Sequence, residues 1–110
     1  MARILIIAPD SELRKSVEFA LSVEGHDLTS RASIGARESP HYDCTVVDHH
    51  ALGSDRVIAV RFCAIFAPVI LLSSQIAHPL SEHVFRTLLK PLLGPALVSA
   101  INDALRAVPT

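Results

Sequence analysis

Three residue types in this chain could do chemistry together. Asp48 closes the run "YDCTVVDHH" (42–50), where apolar and β-branched residues lead straight into a carboxylate and two histidines. Ser73 and Ser74 close "PVILLSS", and Lys90 follows "RTLL" and precedes Pro91. A carboxylate at the end of an apolar run has three readings. It is a nucleophile delivered by a buried strand, a metal ligand beside His49, His50 and His41, or an Asp that ends a strand in a turn. Adjacent histidines in a strand-to-loop turn are expected to point apart. A transition-metal site needs three or four converging ligands, so the histidines read as surface residues. Cys44 and Cys63 belong to no CxxC pair and read as buried, reduced core thiols.

Those residues need elements to hold them. "RILIIA" (3–8), "CTVVD" (44–48) and "PVILLSS" (68–74) are short apolar runs suited to strands buried on both faces. "DLTSRAS" (27–33) and "RTLL" (86–89) are weaker strands. Between them lie helical patterns. Asp10 is a good N-cap; Leu13, Val17, Ala20 and Leu21 then share one face, and Gly25 stops the helix. The stretch from Asp55 to Phe66 reads as a helix with Ile58, Phe62, Ile65 and Phe66 on its stripe. Pro95 opens a last helix whose inward residues are Leu97, Ile101, Ala104, Leu105 and Val108. "IGARESPH" has room for about two helical turns before Pro40. "IAHPLSEHVF" is broken by Pro79 and holds one short helix at most.

Strand and helix thus alternate about five times, which implies an α/β fold: a doubly wound parallel sheet covered on both sides. Ligand sites in such sheets lie beyond the carboxyl ends of the strands. The residues there are Ala8-Pro9-Asp10, Asp48-His49-His50, Ser73-Ser74 and Lys90-Pro91, so a carboxylate, a hydroxyl and an ammonium are expected at one edge.

The whole chain bounds the rest. Its 110 residues suffice for one domain with one core. Half are apolar and 19% charged, so disorder is not expected. No apolar run is long enough to span a bilayer, and "MARILIIAPD" lacks a signal peptide's cleavage site; a cytoplasmic protein without membrane attachment is expected. Net charge is −1 with Lys and Arg scattered, so a nucleic-acid partner is not expected. There is no glycine-rich phosphate loop or dinucleotide fingerprint.

In this order and spacing, "RILIIAPDSELR", "YDCTVVDHHALG", "APVILLSS" and "LLKP" resemble the receiver domain of a two-component response regulator. The resemblance covers essentially the whole chain. It implies a flavodoxin-like (βα)5 fold of order 2-1-3-4-5, here with a short or missing fourth helix. The sequence ends at Thr110, just past the last helix, so a single domain over 1–110 without an output domain is expected, acting by protein contact rather than as an enzyme. Its partners would be a histidine kinase or phosphotransfer protein, a downstream protein target, or a second copy of the chain.

Residue by residue, Asp48 matches the phosphoacceptor of that family. Ser73 and Lys90 match the groups that contact the phosphoryl oxygens. A carboxylate is a usable nucleophile toward phosphorus, and the transferred group needs cations around it. Mg²⁺ is the cofactor so implied, with Asp10, Asp48 and the backbone carbonyl of His50 as ligands. Where the family carries two adjacent acidic residues after the first strand, this chain has Ala8 and Pro9, with Asp10 one residue late. Mg²⁺ needs near-ideal oxygen geometry, so weak binding is expected. The alternative function is a pseudo-receiver: the same fold used for protein contact, without phosphorylation. Two further departures concern output. Thr87 stands where the family has a switching aromatic, and the Ser73–Lys90 segment is several residues short. Ile76, Leu80 and Val84 are then expected to be partly uncovered, an apolar patch favouring self-association or a partner.

Overall fold

The computed structural model describes residues 2–35, 39, 41–75, 77–91 and 94–107. Five strands form its sheet: β1 (Arg3–Ile7), β2 (Asp27–Arg31), β3 (Cys44–Asp48), β4 (Val69–Ser73) and β5 (Arg86–Leu89). The order is β2-β1-β3-β4-β5 and every pairing is parallel. The helices are α1 (Ser11–Val23), α2 (Arg56–Ile65) and α3 (Gly94–Ala107). This is the flavodoxin-like order that the resemblance implied.

The three central strands are buried on both faces, which is why they read as continuous apolar runs. Side chains alternate across the sheet. Ile4, Ile6, Val46, Ile70 and Leu72 meet Val17 and Leu21 of α1 and Leu97, Ala100, Ile101 and Ala104 of α3. Leu5, Ile7, Val47, Val69 and Leu71 meet Ala59, Phe62 and Cys63 of α2 on the other face. Leu13, Ala20 and Leu105 pack at the margin of the first layer as the sequence implied; Val108 lies outside the described residues.

Helix α2 departs from expectation in its rotation. Ile58 and Ile65 are exposed at 58% and 52%, while Ala59 and Cys63 face the sheet beside Phe62. Nearly every position of "RVIAVRFCAI" is apolar, so periodicity does not single out a face. Small residues on the inner side let the helix lie close to the strands.

The crossovers also differ from five full βα units. Between β4 and β5 the described residues hold only a 3₁₀ turn, Ser81–His83, as the short spacing and Pro79 implied. Between β2 and β3 no helix occurs among the described residues; most of "IGARESPH" beyond Gly35 lies outside them. Of the residues expected to be uncovered by the lost fourth helix, Val84 is partly uncovered and Leu80 is not. Leu80 is buried and Val84 half-buried, both packed on the second core layer, because the loop folds back onto α2. Arg56 Nη1 donates to the Pro79 carbonyl at 3.3 Å across that contact. Ile76 lies outside the described residues.

One ion-pair group ties the sheet edge to the last helix. Arg86 of β5 meets Asp103 of α3 at 2.8 Å, and Arg106 meets the same carboxylate at 2.5 Å. Hydrogen bonds from Arg86 and then Arg106 hold the Asp103 carboxyl below its ordinary range. A carboxyl lowered by folding stabilises the native state above its unfolded pKa. That contribution fades as pH falls through the lowered value.

Candidate functional site

Strand β3 ends at Asp48, and the chain then turns into a 3₁₀ segment, His49–Leu52, closed by Gly53 at φ +68°. Only a residue tolerant of positive φ ends the turn there. The result is a carboxylate held at the carboxyl edge of the central strand, 1% exposed. β4 delivers Ser73 to the same edge. Its backbone carbonyl accepts the Lys90 amide at 3.0 Å, so β4 fixes where Lys90 leaves β5.

Lys90 reaches across to Asp48. Its Nζ lies 2.6 Å from Oδ1, close but off the line of a well-aligned hydrogen bond, so the contact is chiefly one of charge. Asp48 is buried and Lys90 about a quarter exposed. Ser73 Oγ is fully buried and accepts the Gln75 amide at 3.0 Å, which ties the start of the loop. Asp48, Ser73 and Lys90 therefore gather at one edge of the sheet.

The remaining expected metal ligands do not gather with them. Ala8 is buried at the end of β1 and Pro9 is exposed beyond it. Asp10 is exposed and caps α1, its Oδ1 accepting the Glu12 amide at 2.9 Å. Arg14 Nη1 donates to the Ala8 carbonyl at 2.7 Å. A cation thus stands at the end of β1, where a metal-binding receiver has anions. Mg²⁺ demands octahedral oxygen ligands, and the donor set here does not fit it: among the described residues Asp48 is the one buried carboxylate, and it has an oxygen already on Lys90.

The histidines behave differently from expectation. Their rings do not diverge: His49 and His50 face each other with centroids 3.9 Å apart. His50 Nδ1 lies 3.3 Å from Asp48 Oδ2. His78 meets His49 edge-on at 5.5 Å. Burial lowers the His49 imidazole from its ordinary pKa, and His50 adds to the effect while Asp48 opposes it. The reason is local geometry. The chain leaves the extended state at His49, and in a 3₁₀ turn successive side chains are about 120° apart rather than opposed. A turn-forming "HHALG" after the strand was the sequence signal.

Thr87 occupies its expected place on β5 and its Oγ1 donates to Ser81 Oγ at 3.0 Å. Cys44 and Cys63 are buried and free. Burial pushes the Cys44 thiol up to about 12 and raises Cys63 as well. Neither is a thiolate near neutrality, so iodoacetamide at pH 8 is expected to leave both unmodified in the native chain and to label both in denaturant. Labelling of Cys44 at the native rate of a free thiol would contradict its placement.

Comparison with known proteins points in one direction. No protein-family profile matches the chain. Transcriptional regulator protein FixT of Rhizobium meliloti is 32% identical over 103 residues, 91% of this chain and 90% of that protein. Among solved structures, a two-component response regulator from Clostridium difficile superposes with TM-score 0.79 at 18% identity, over all of both chains. A response regulator receiver domain from Clostridium thermocellum gives TM-score 0.76 at 22% identity, over 96% of this chain and 95% of that one. A chemotaxis response regulator of Vibrio cholerae gives 0.77 at 17%, over 96% and 99%.

Proposed function

The chain belongs to the response-regulator receiver family, with FixT among its relatives, and from that premise we propose that it works as a pseudo-receiver in two-component signalling. It acts through protein contact in the cytoplasm, as the single domain over 1–110, without an enzymatic step or a Mg²⁺-driven phosphate cycle. One observation carries the reading. Asp48 is buried against Lys90, while the end of β1 offers Ala8, Pro9 and the Arg14 guanidinium instead of two carboxylates.

In a phosphate-accepting pocket, the metal gathers the incoming phosphoryl oxygens and offsets their charge. Here, among the described residues, Lys90 is the ammonium in contact with Asp48. The pair is near neutral as it stands and holds no cluster of like charges awaiting a dication. Lys90 also covers Oδ1, so the nucleophile is half engaged before any phosphodonor arrives.

Support for a contact role comes from the surface between α1 and α3. Phe19 and Val23 on α1 are 67% and 68% exposed. With Pro95 and Val98 of α3 they line a shallow groove of about 690 Å³. Exposed apolar side chains in a contiguous groove favour a protein partner. A histidine kinase or phosphotransfer protein, or a downstream target, is the partner this reading assigns. Among the described residues no helix is long and apolar enough to cross a membrane.

The second reading is favoured by the gathering of Asp48, Ser73 and Lys90: a receiver that still accepts phosphate on Asp48. Intact-mass measurement after incubation with acetyl phosphate and Mg²⁺ separates the two. The pseudo-receiver yields no phosphoryl adduct. An adduct abolished by Asp48→Asn establishes the phosphoacceptor instead.

A further inference from the structure

The pocket that lacks oxygen ligands holds nitrogen ones. Asp48 spends Oδ1 on the Lys90 ammonium and turns Oδ2 to His50 Nδ1, at 3.3 Å. Zinc binds imidazole nitrogen and carboxylate oxygen at about 2.0–2.2 Å, which puts two ligands of a tetrahedral ion about 3.3–3.5 Å apart. Oδ2 and Nδ1 already span such an edge. A third ligand atom comes from His49: one ring nitrogen of each histidine and one oxygen of Asp48 all lie within 4.8 Å of one another. Bringing the three to tetrahedral spacing takes about 1.5 Å at most.

His49 adds a second observation. Its Nε2 is buried and has no hydrogen-bond partner among the described residues. A buried polar atom left unmet is destabilising, and a bound cation is one way to meet it. His78 closes this side of the pocket without serving as a ligand. Its Nδ1 accepts the Leu80 amide at 3.1 Å, so in the neutral ring Nε2 carries the proton.

We propose that Asp48 Oδ2, His50 Nδ1 and a His49 ring nitrogen form a tetrahedral site for a zinc-like transition-metal dication, with water as the fourth ligand. Imidazole donors suit zinc, nickel and copper, whereas magnesium takes carboxylates and water. On binding, the metal takes the place of hydrogen at His50 Nδ1, and the proton of the neutral ring sits on Nε2, which faces away from the metal. The occupied Oδ2 is then closed to any phosphodonor. The site does not depend on the pseudo-receiver reading, which is measured with Mg²⁺ and a phosphodonor alone.

Cobalt is the probe, because tetrahedral Co²⁺ absorbs far more strongly in the visible than the octahedral aqua ion. Titrating Co²⁺ into the full chain is expected to give an intense visible spectrum saturating at one equivalent. Zn²⁺ displaces it and Mg²⁺ does not. His50→Gln and His49→Gln each weaken binding by about a hundredfold, at or beyond the loss seen when a ligand's supporting partner is removed. His83→Gln, outside the pocket, binds as wild type. His50 is 67% exposed, so its substitution leaves the fold intact. Should His49→Gln unfold, ¹⁵N spectra of the wild-type imidazoles during Zn²⁺ titration report the ligands directly. Shifts confined to His49 and His50 support the site. A pale octahedral spectrum, binding indifferent to both substitutions, or Zn²⁺ shifts at histidines other than His49 and His50 and their neighbour His78 overturn it.

Discussion

Lys90→Met is expected to destabilise the chain by about 2–3 kcal/mol, and Asp48→Asn/Lys90→Met is expected to recover most of that loss. Asp48 is buried at the end of the central strand, and the ammonium is its charged partner at 2.6 Å. Removing one partner of a buried ion pair costs about 3–5 kcal/mol, because the other charge is left unpaired in a poor solvent. The lower figure applies here because Lys90 is about a quarter exposed and partly screened by water. Asp48→Asn alone is milder, since the Lys90 side chain can turn its charge to solvent. Urea unfolding measures all three variants, with shifts in midpoint at constant slope reporting stability. Strictly additive single-variant effects would show that the two groups do not depend on each other.

Ala8→Asp/Pro9→Asp is expected to convert the pocket into one that binds Mg²⁺. Ile7 of β1 pairs with Val47 of β3, so an aspartate at the next position of β1 stands at the same strand-end level as Asp48. Without metal the two repel, and the variant is expected to be less stable than wild type. Mg²⁺ should return that stability. At ten times the dissociation constant the gain is about 1.4 kcal/mol, visible as a metal-dependent rise in Tm that wild type lacks. Arg14 opposes the change by holding the Ala8 carbonyl; adding Arg14→Gln should strengthen Mg²⁺ binding further. Acetyl phosphate should then label Asp48 in the variant. A variant that binds Mg²⁺ yet resists labelling would limit the family likeness to the fold.

How much of this was legible beforehand depends on the kind of signal. Strands β1, β3 and β4 are continuous apolar runs because both sheet faces are covered, and their ends could be read to within a residue. Once the sheet is parallel, its carboxyl edge follows, and Asp48, Ser73 and Lys90 follow with it. The face of α2 could not be read, since a helix apolar at nearly every position carries little amphipathic signal and the inner face was chosen by closeness to the sheet. Leu80 was expected to be uncovered because the count of helices fell, yet a loop can bury a side chain as well as a helix can. The His49–His50 pair was misread by extending strand alternation one residue too far, into a 3₁₀ turn.

The central claim is that this receiver fold has given up the magnesium site on which phosphate chemistry in its family rests. Isothermal titration of Mg²⁺ into the wild-type chain tests it most directly. Pro9 has no donor, Asp10 caps α1, and Asp48 is paired with Lys90. The account therefore predicts no saturation at low-millimolar Mg²⁺ and no dependence of the small residual heat on Asp48. A saturable one-to-one isotherm lost in Asp48→Asn would contradict it.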